Sequence, residues 1–184
     1  MLDILKMISN ARKVYNSFGK LHNEKGPAVV YDDGTKEWWY DGKRHRLDEP
    51  AVIESNGCKE WWFFGLRHRE DGPAIIYPDG GEEWWYKNEI HRDNDLPAIV
   101  DINYKEWWYR GMRHRISGPA EIFRNERKKY YIRGVEYDEE RYYKINNLVR
   151  KWCFKLLRKL KHKILSVDFC SDISNTVIKY SYKN

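Results

Sequence analysis

The sequence predicts an all-β repeat fold: an elongated, single-layer antiparallel meander of about five 23-residue β-hairpins, followed by a basic amphipathic α-helix. Two motifs carry this prediction, because both recur with a period of 23 residues. A single histidine recurs at His22, His45, His68, His91 and His114. A tryptophan pair begins at Trp38, Trp61, Trp84 and Trp107, and Tyr130 continues its phase. A period shared by independent motifs is the mark of a repeat architecture.

The positive charge of the chain is concentrated toward its C-terminal end. The 184 residues carry a net charge of +6, but residues 141–163 hold nine Lys or Arg and no acid, so the repeat array is near neutral. No run approaches the ~20 apolar residues of a transmembrane helix, and no signal peptide is visible. The three cysteines form no CxxC motif, which favours free thiols in a reducing compartment over a thiolate zinc site. We therefore expect a soluble intracellular protein.

Residues 1–18 are predicted to cap the array. Residues 2–10 have the apolar spacing of a short helix. Residues 12–18 fall into repeat phase as a half-repeat strand, because Tyr15 aligns with Trp38 and Gly19 with Gly42. A degenerate half-repeat is typical of a terminal capping unit.

Residues 19–137 form the predicted hairpin array. Its units open on residues that accept positive φ, at Gly19, Gly42, Gly65, Asn88, Gly111 and Gly134. Three units contain an Asx-Gly step between apolar residues, at Asp33–Gly34, Asn56–Gly57 and Asp79–Gly80, which is a strong hairpin signal. If that step is a two-residue turn, Val29 faces Trp38 and Ala28 faces Trp39. An alanine recurs in every unit, and its small side chain would leave room for the indole.

The second tryptophans of the pairs are the candidate interaction surface of the array. They are Trp39, Trp62, Trp85 and Trp108. We expect neighbouring units to stack tryptophan on tryptophan, since cross-strand aromatic pairs stabilise thin sheets. Two interpretations stay open: the row is the internal packing of the sheet, or it is a stacking platform for a peptide, sugar rings or bases. A single-layer sheet has two faces, and an uncovered aromatic face calls for a ligand.

Residues 138–165 are predicted to form the basic helix, and residues 166–184 a tail. Acidic residues at 138–140 suit the positive end of the helix dipole. Apolar residues at helical spacing point inward: Tyr142, Ile145, Val149, Trp152, Leu156 and Leu160. Candidate binding residues on the other faces are Lys151, Lys155, Arg158, Lys159 and Lys163. The helix either only caps the last hairpin, or also binds anionic lipid or nucleic acid through residues 141–163.

The repeated unit resembles a variant of the MORN repeat. Its pattern of GPA, DG and WWY is most similar to the HR-x-DGPA form found in proteins of large DNA viruses and of some phages and bacteria. The best match is Arg67–Ala74, and the resemblance covers residues 12–137. Usual MORN units carry YxG-x-GxG glycines, where this chain has WWY, HR and GPA. The resemblance implies a scaffold or membrane-associated platform of viral or phage type, acting in the host cytoplasm or the virion.

No catalytic motif stands out in the chain. There is no GxSxG, Walker-type or HExxH sequence. The repeated histidines favour a structural role, with the imidazole bonded to a turn backbone and Asp71 paired with Arg69. Equivalent histidines lie ~9.6 Å apart, too far to share a metal ion. We expect Glu37, Glu60, Glu83 and Glu106 to pair with Lys and Arg on neighbouring strands.

These observations predict a non-enzymatic scaffold without cofactor or metal. It would mediate protein–protein interaction, either with a partner protein or by self-association. The alternative is peripheral membrane or nucleic-acid binding through the basic helix.

Overall fold

The computed structural model describes residues 10–159, with the side chains of residues 10–149 and of Lys151. The predicted N-terminal helix, the predicted helical residues 160–165 and the tail at 166–184 lie outside these described residues. Within them, the predicted fold is confirmed. An open antiparallel meander of β-hairpins is followed by one C-terminal helix.

The strands are short because each 23-residue unit is divided among four strands. In chain order they are β1 (Ala11–Lys13), β2 (Val29–Tyr31), β3 (Lys36–Glu37), β4 (Trp39–Tyr40), β5 (Lys43–Arg44), β6 (Val52–Ile53), β7 (Lys59–Glu60), β8 (Trp62–Phe63), β9 (Leu66–Arg67), β10 (Ile75–Ile76), β11 (Glu82–Glu83), β12 (Trp85–Tyr86), β13 (Glu89–Ile90), β14 (Ile99–Val100), β15 (Tyr104–Glu106), β16 (Trp108–Tyr109), β17 (Met112–Arg113), β18 (Glu121–Phe123), β19 (Lys128–Ile132) and β20 (Val135–Tyr137). The helix is α1 (Glu139–Lys159).

Twelve strands form one main sheet in the order β1-β2-β3-β6-β7-β10-β11-β14-β15-β18-β19-β20. The predicted half-repeat strand of the N-terminal cap is β1, at one edge of this sheet. The other eight strands form four small hairpins, β4–β5, β8–β9, β12–β13 and β16–β17. Each unit therefore contributes one hairpin to the main sheet and one small hairpin beside it.

The chain leaves the main sheet at the first tryptophan of each pair. The Trp38 N–H donates to the carbonyl of Ala51 at 2.8 Å, as part of the main sheet. The Trp38 carbonyl instead accepts the N–H of His45 at 3.0 Å, at the base of the small hairpin. Successive small hairpins are also joined to each other, since Gly65 N–H donates to the Arg44 carbonyl at 2.8 Å.

The main-sheet hairpins close with three-residue loops, so the predicted two-residue turn is wrong for the first three units. The Tyr31 N–H donates to the Thr35 carbonyl at 2.9 Å, which encloses residues 32–34. Gly34, the third loop residue, has a φ of 90°. A loop of this kind is a type I turn followed by one left-handed residue, and it uses the same Asx-Gly step as a two-residue turn.

The extra loop residue shifts the pairing by one position. Val29 lies opposite Glu37 and not opposite Trp38. The Ala28 N–H donates to the Glu37 carbonyl at 2.9 Å, so Ala28 does not face Trp39 as predicted. The alanines are nevertheless constrained by packing, because each is 0% exposed: Ala28, Ala51, Ala74, Ala98 and Ala120.

The inner face of the main sheet is a row of alternating aliphatic and acidic residues. The register aligns Val29, Glu37, Val52, Glu60, Ile75, Glu83, Ile99, Glu106 and Glu121. Most of these side chains are buried or half-buried. The part of the core that runs along the main sheet is therefore one narrow row beneath the second tryptophans.

The helix α1 caps the last unit. Asp138 accepts the N–H of Arg141 at 2.9 Å as the N-cap residue. Tyr142 and Val149 are buried, and Tyr142 packs with half-buried Ile145 against the cluster of Tyr130, Ile132 and Tyr137. These three helix residues were predicted to point inward, and the structure confirms it. The side chains of Trp152, Leu156 and Leu160 lie outside the described ones.

Candidate functional site

The small hairpins present their tips along one side of the array. Each tip is a two-residue turn with both residues in the left-handed region, as in a type I′ turn. The turn residues are Asp41–Gly42 (53° and 78°), Phe64–Gly65 (45° and 84°), Lys87–Asn88 (49° and 68°) and Arg110–Gly111 (47° and 74°). The β19–β20 turn of the main sheet has the same geometry at Arg133–Gly134 (51° and 78°). Glycine or asparagine at the second position meets the φ requirement of this turn.

The repeated histidines bind these turns, as the sequence predicts. In four of the five cases, the Nδ1 atom accepts the N–H of the first turn residue. The pairs are His22 with Asp41 (3.1 Å), His45 with Phe64 (3.4 Å), His91 with Arg110 (3.4 Å) and His114 with Arg133 (3.2 Å). The Nδ1 atom of His68 has no hydrogen-bond partner. An imidazole that accepts through Nδ1 is neutral and carries its proton on Nε2.

Burial keeps the most enclosed histidine neutral. Burial, with a smaller contribution from the nearby Arg133, lowers the pKa of His114 to about 4. Burial also lowers the pKa of His45. Other histidines direct Nε2 toward a carboxylate, and His91 lies 3.0 Å from Asp93. In His91, Nδ1 therefore binds the turn and Nε2 faces a carboxylate, so both ring nitrogens have structural partners.

The histidines alternate with tyrosine or phenylalanine in one continuous row, here called the aromatic ladder. Its members are His22, Tyr40, His45, Phe63, His68, Tyr86, His91, Tyr109 and His114, with neighbouring ring centroids 4.7–6.5 Å apart. Most contacts are edge-to-face, the arrangement that aromatic pairs prefer. The tyrosines and phenylalanines project furthest, since Tyr40, Phe63 and Tyr86 are 42–44% exposed. Phe64, also exposed, stacks on His45 at 3.9 Å.

A shallow cavity of about 640 Å³ lies along one stretch of the aromatic ladder. It is lined by Tyr86, Lys87, Glu89, His91, Asp93, Tyr109 and Arg110. Lys87 lies over the Tyr86 ring at 5.1 Å, and Arg110 lies over the Tyr109 ring at 5.3 Å. The projecting rings and their cations therefore make a mixed aromatic and polar surface.

The predicted site tryptophans lie in a different row and are half-buried. Each indole N–H donates to an inner-face carboxylate: Trp39 to Glu37 (2.7 Å), Trp62 to Glu60 (2.8 Å), Trp85 to Glu83 (2.7 Å) and Trp108 to Glu106 (2.6 Å). The expected stacking of tryptophan on tryptophan is wrong, because arginines lie between the rings. Arg44 is 5.3 Å from the ring centroids of both Trp39 and Trp62.

The same arginines neutralise the inner-face glutamates, which confirms the expected pairing for three of the four. The ion pairs are Arg44 with Glu37 (2.7 Å), Arg67 with Glu60 (3.1 Å) and Arg113 with Glu106 (3.0 Å). Ile90 takes the arginine position near Glu83, which accepts the Tyr77 hydroxyl instead at 2.8 Å. The tryptophan row is thus already occupied by side chains of its own chain.

The first tryptophans hold a second set of arginines. Guanidinium groups stack on them at 3.4–4.1 Å, in the pairs Arg46–Trp38, Arg69–Trp61, Arg92–Trp84 and Arg115–Trp107. Each of these arginines also donates to the carbonyl of the GPA-type proline, as Arg69 does to Pro73 at 3.4 Å. Arg69 pairs with Asp71 at 2.9 Å, as predicted. The HR-x-DGPA sequence is therefore a structural clamp.

The extra residue of the irregular fourth unit helps to link that unit to the fifth. Asn94 and Asp95 have left-handed φ values of 62° and 57°. The Asp95 carboxylate binds Arg115 at 2.9 and 3.0 Å and accepts the Ser117 hydroxyl. The residue lost from the next loop leaves Ile102–Asn103 as a two-residue turn, and the register is restored.

The basic residues of α1 are described only in part. Lys151 is exposed. Lys155, Arg158 and Lys159 lie in the helix, but their side chains are not among those described, and Lys163 lies outside the described residues. Within the described part of the chain, Lys151 forms no hydrogen bond, ion pair or ring contact with the tryptophan row.

One cluster has the residue types of a metal site. Ligand atoms of Glu54, Cys58 and Glu60 lie within 4.8 Å of one another. Burial and the two glutamates raise the pKa of the Cys58 thiol to about 11, so the thiolate that a metal needs is disfavoured. Glu60 is already bound to Trp62 and Arg67. The cluster is better explained as packing around a buried thiol.

No helix in the described part of the chain is long and apolar enough to cross a membrane. No known family model matches the sequence, and no curated protein matches it. Function must therefore be argued from the surfaces. Sequence reasoning did not predict the exposure of Tyr40, Phe63, Phe64 and Tyr86; the signal available was an aromatic residue directly before or within each turn.

Proposed function

We propose that this protein is a non-enzymatic repeat scaffold that binds another protein through the aromatic ladder. The observation that carries the proposal is the exposure of Tyr40, Phe63, Phe64 and Tyr86, each above 40%, on neighbouring small hairpins. Contiguous exposed apolar groups rimmed by polar residues mark interaction sites. Aromatic side chains are enriched at such interfaces because they bury a large area at a small entropic cost.

The turns beside the aromatic ladder add a second line of support. Phe64, Lys87, Arg110 and Arg133 have φ values of 45–51°, where Asn, Asp or Gly are favoured. Each large side chain there costs about 1 kcal/mol of backbone strain. Lys87, Arg110 and Arg133 are exposed in these turns. Strain retained at exposed positions suits a functional surface.

The repeated histidines and glutamates already form hydrogen bonds and ion pairs within the chain, which favours a scaffold over an enzyme. Four histidines hold turns through Nδ1, and the inner-face glutamates hold tryptophans and arginines. Repetition of one side-chain role along the chain suits a surface that grows by adding units. The MORN-type resemblance agrees with a scaffold, and on that basis we place its action inside the host cell or the virion of a virus or phage.

A pair of variants tests the proposal. Phe64→Ser with Tyr86→Ser removes the exposed ring stacked on His45 and one exposed ring of the aromatic ladder, and Ile102→Ser removes an apolar group that is even more exposed, at 70%, in a main-sheet turn. Light scattering after size exclusion measures self-association, and quantitative mass spectrometry of proteins retained by the immobilised chain measures partner binding. We expect the double variant to lose the oligomer or the retained partner, and Ile102→Ser to keep it. Equal behaviour of the folded variants would refute the proposal.

A second candidate function is binding of anionic lipid or nucleic acid by α1. The inner face of the helix is used for capping, while Lys151 remains exposed among nine basic residues at 141–163. Replacing Lys155, Arg158, Lys159 and Lys163 by Gln should abolish binding to phosphatidylserine vesicles or duplex DNA and leave the fold intact. Unchanged binding of both would exclude this function.

A further inference from the structure

The outer face of the main sheet carries a row of alternating basic and aliphatic residues, here called the lysine strip. The strand register places its members side by side, one per strand. In sheet order they are Arg12, Val30, Lys36, Ile53, Lys59, Ile76, Glu82, Val100, Lys105, Ile122 and Lys128. The strip crosses eleven of the twelve strands of the main sheet.

The lysine strip has a strong and uncompensated charge. It holds five cations and one acid, and all five cations are exposed. In the described part of the chain, none of Arg12, Lys36, Lys59, Lys105 and Lys128 forms an ion pair. The glutamates of the inner face do not neutralise them, because those carboxylates are turned inward and bound to tryptophan or arginine.

Geometry fixes the spacing of these charges. Successive lysines occupy every second strand, so they recur every ~9.6 Å, with an aliphatic residue ~4.8 Å from each. The aliphatic residues of the strip are Val30, Ile53, Ile76, Val100 and Ile122. Each of these five side chains is half-exposed and lies next to an exposed lysine or arginine of the strip. The strip therefore offers charge and apolar surface in strict alternation.

We propose that the lysine strip binds an acidic amphipathic α-helix of a partner protein, laid along the sheet across its strands. In a helix, positions i and i+7 lie ~10.5 Å apart on one face, and i+3 or i+4 lies about halfway between them. Glutamates at i and i+7 would then meet successive lysines, and leucines between them would cover the aliphatic residues. An extended strand does not match, because residues three apart point to opposite faces.

Charge complementarity with nucleic acid is poorer than with such a helix. Duplex DNA carries one phosphate per ~1.7 Å of axis, whereas the lysine strip offers one cation per ~9.6 Å. Phosphates would also leave the five aliphatic residues without an apolar partner. The combination of sparse cations and intervening aliphatic groups is what an acidic amphipathic segment complements.

Glu82 interrupts the lysine strip and supplies an internal control. It occupies the position that lysine holds in the neighbouring units, and its charge acts on Arg92 beside it. A helix with glutamate at every seventh position therefore meets repulsion at this one place. Glu82→Lys completes the row without touching the aromatic ladder.

The experiment uses the full chain and a synthetic 22-residue helical peptide. The peptide has Glu at positions 1, 8, 15 and 22 and Leu midway between them, and its ~32 Å length spans Lys36 to Lys105. Binding is measured by fluorescence anisotropy at low and high salt. Lys36→Glu, Lys59→Glu and Lys105→Glu together form the test variant. Lys43→Glu, Lys87→Glu and Arg110→Glu, in or next to the turns of the small hairpins, form the matched control with the same charge change.

We expect the test variant to bind the peptide at least about tenfold more weakly, the control to bind within about twofold, and Glu82→Lys to bind about threefold more tightly. Circular dichroism verifies the fold of each variant, and Glu82→Lys keeps the test decisive if the triple variant is unfolded. Equal binding by wild type and test variant would overturn the proposal. The proposal would also be overturned if the wild type does not bind the peptide but binds duplex DNA or phosphatidylserine vesicles, and the test variant loses that binding. The Phe64→Ser/Tyr86→Ser variant keeps peptide binding, so this result is separate from the test of the aromatic ladder.

Discussion

Acid should destabilise the repeat array through the buried histidine of the last unit. His114 is 9% exposed, and its Nδ1 atom accepts the Arg133 N–H at 3.2 Å. Protonation would convert this acceptor to a donor facing another donor. Burial, with a smaller effect of Arg133, lowers the pKa of His114 to about 4 from its ordinary 6.5. The folded protein therefore resists binding a proton that the unfolded chain takes up readily.

The sign and size of the effect follow from that difference. Above pH 6.5 His114 is neutral in both states, and its contribution to stability is complete. Between pH 6.5 and about 4 the unfolded chain is protonated and the folded one is not, so the free energy of unfolding falls as pH falls. Each pH unit is worth ~1.4 kcal/mol, which gives a total loss of about 3 kcal/mol.

Urea unfolding, followed by tryptophan fluorescence from pH 7.5 to 4, measures this loss. His114→Gln cannot be charged, so its free energy of unfolding should fall less steeply, by about 1.4 kcal/mol per pH unit, than that of the wild type. Parallel curves for wild type and His114→Gln between pH 6.5 and 4 would refute the reasoning.

Three further substitutions test the packing of the array by urea unfolding at pH 7.5. Ala74→Leu overfills a site that is 0% exposed and should cost about 2 kcal/mol; a neutral result would contradict the packing explanation for the repeated alanine. Glu106→Ala leaves the Arg113 guanidinium without its 3.0 Å partner and should cost about 3 kcal/mol. Arg69→Gln removes the guanidinium stacked 4.1 Å from the Trp61 ring centroid and should cost about 1 kcal/mol, with no loss if that stacking is only a surface contact.

Much of the fold could be predicted because the repeat period fixes its topology. A 23-residue unit with an Asx-Gly step can only return the chain to the start of the next unit, which gives a meander. The helix start was also readable, because acids at 138–140 precede a helical apolar pattern. Both features depend on local chemistry that does not change when the units come together.

The register could not be predicted from the same signals. Asx-Gly serves two-residue and three-residue loops alike, and the choice between them moves every pairing by one residue. Pro78 before Asp79–Gly80 was the available clue, since proline fits the first central position of a type I turn. The wrong register placed the indoles opposite the alanines and concealed their bonds to glutamate.

The aromatic ladder could not be predicted for a related reason. Tryptophan is the most conspicuous residue of the unit, but Trp39 and its equivalents are half-buried under arginines. The bend at the first tryptophan turns the next aromatic residue, such as Tyr86, outward beside a histidine. That bend depends on hydrogen bonds between units, which a pattern within one unit does not contain.

Site-specific photocrosslinking at two adjacent positions tests the central claim most directly. Benzoylphenylalanine at position 86 lies in the aromatic ladder, while at position 85 it lies in the tryptophan row beside Arg67, 4.8 Å from the ring centroid. We predict that irradiation crosslinks a partner protein or a second copy of the chain from position 86 and not from position 85. Crosslinks from position 85 with none from position 86 would contradict the assignment of the aromatic ladder as the binding face.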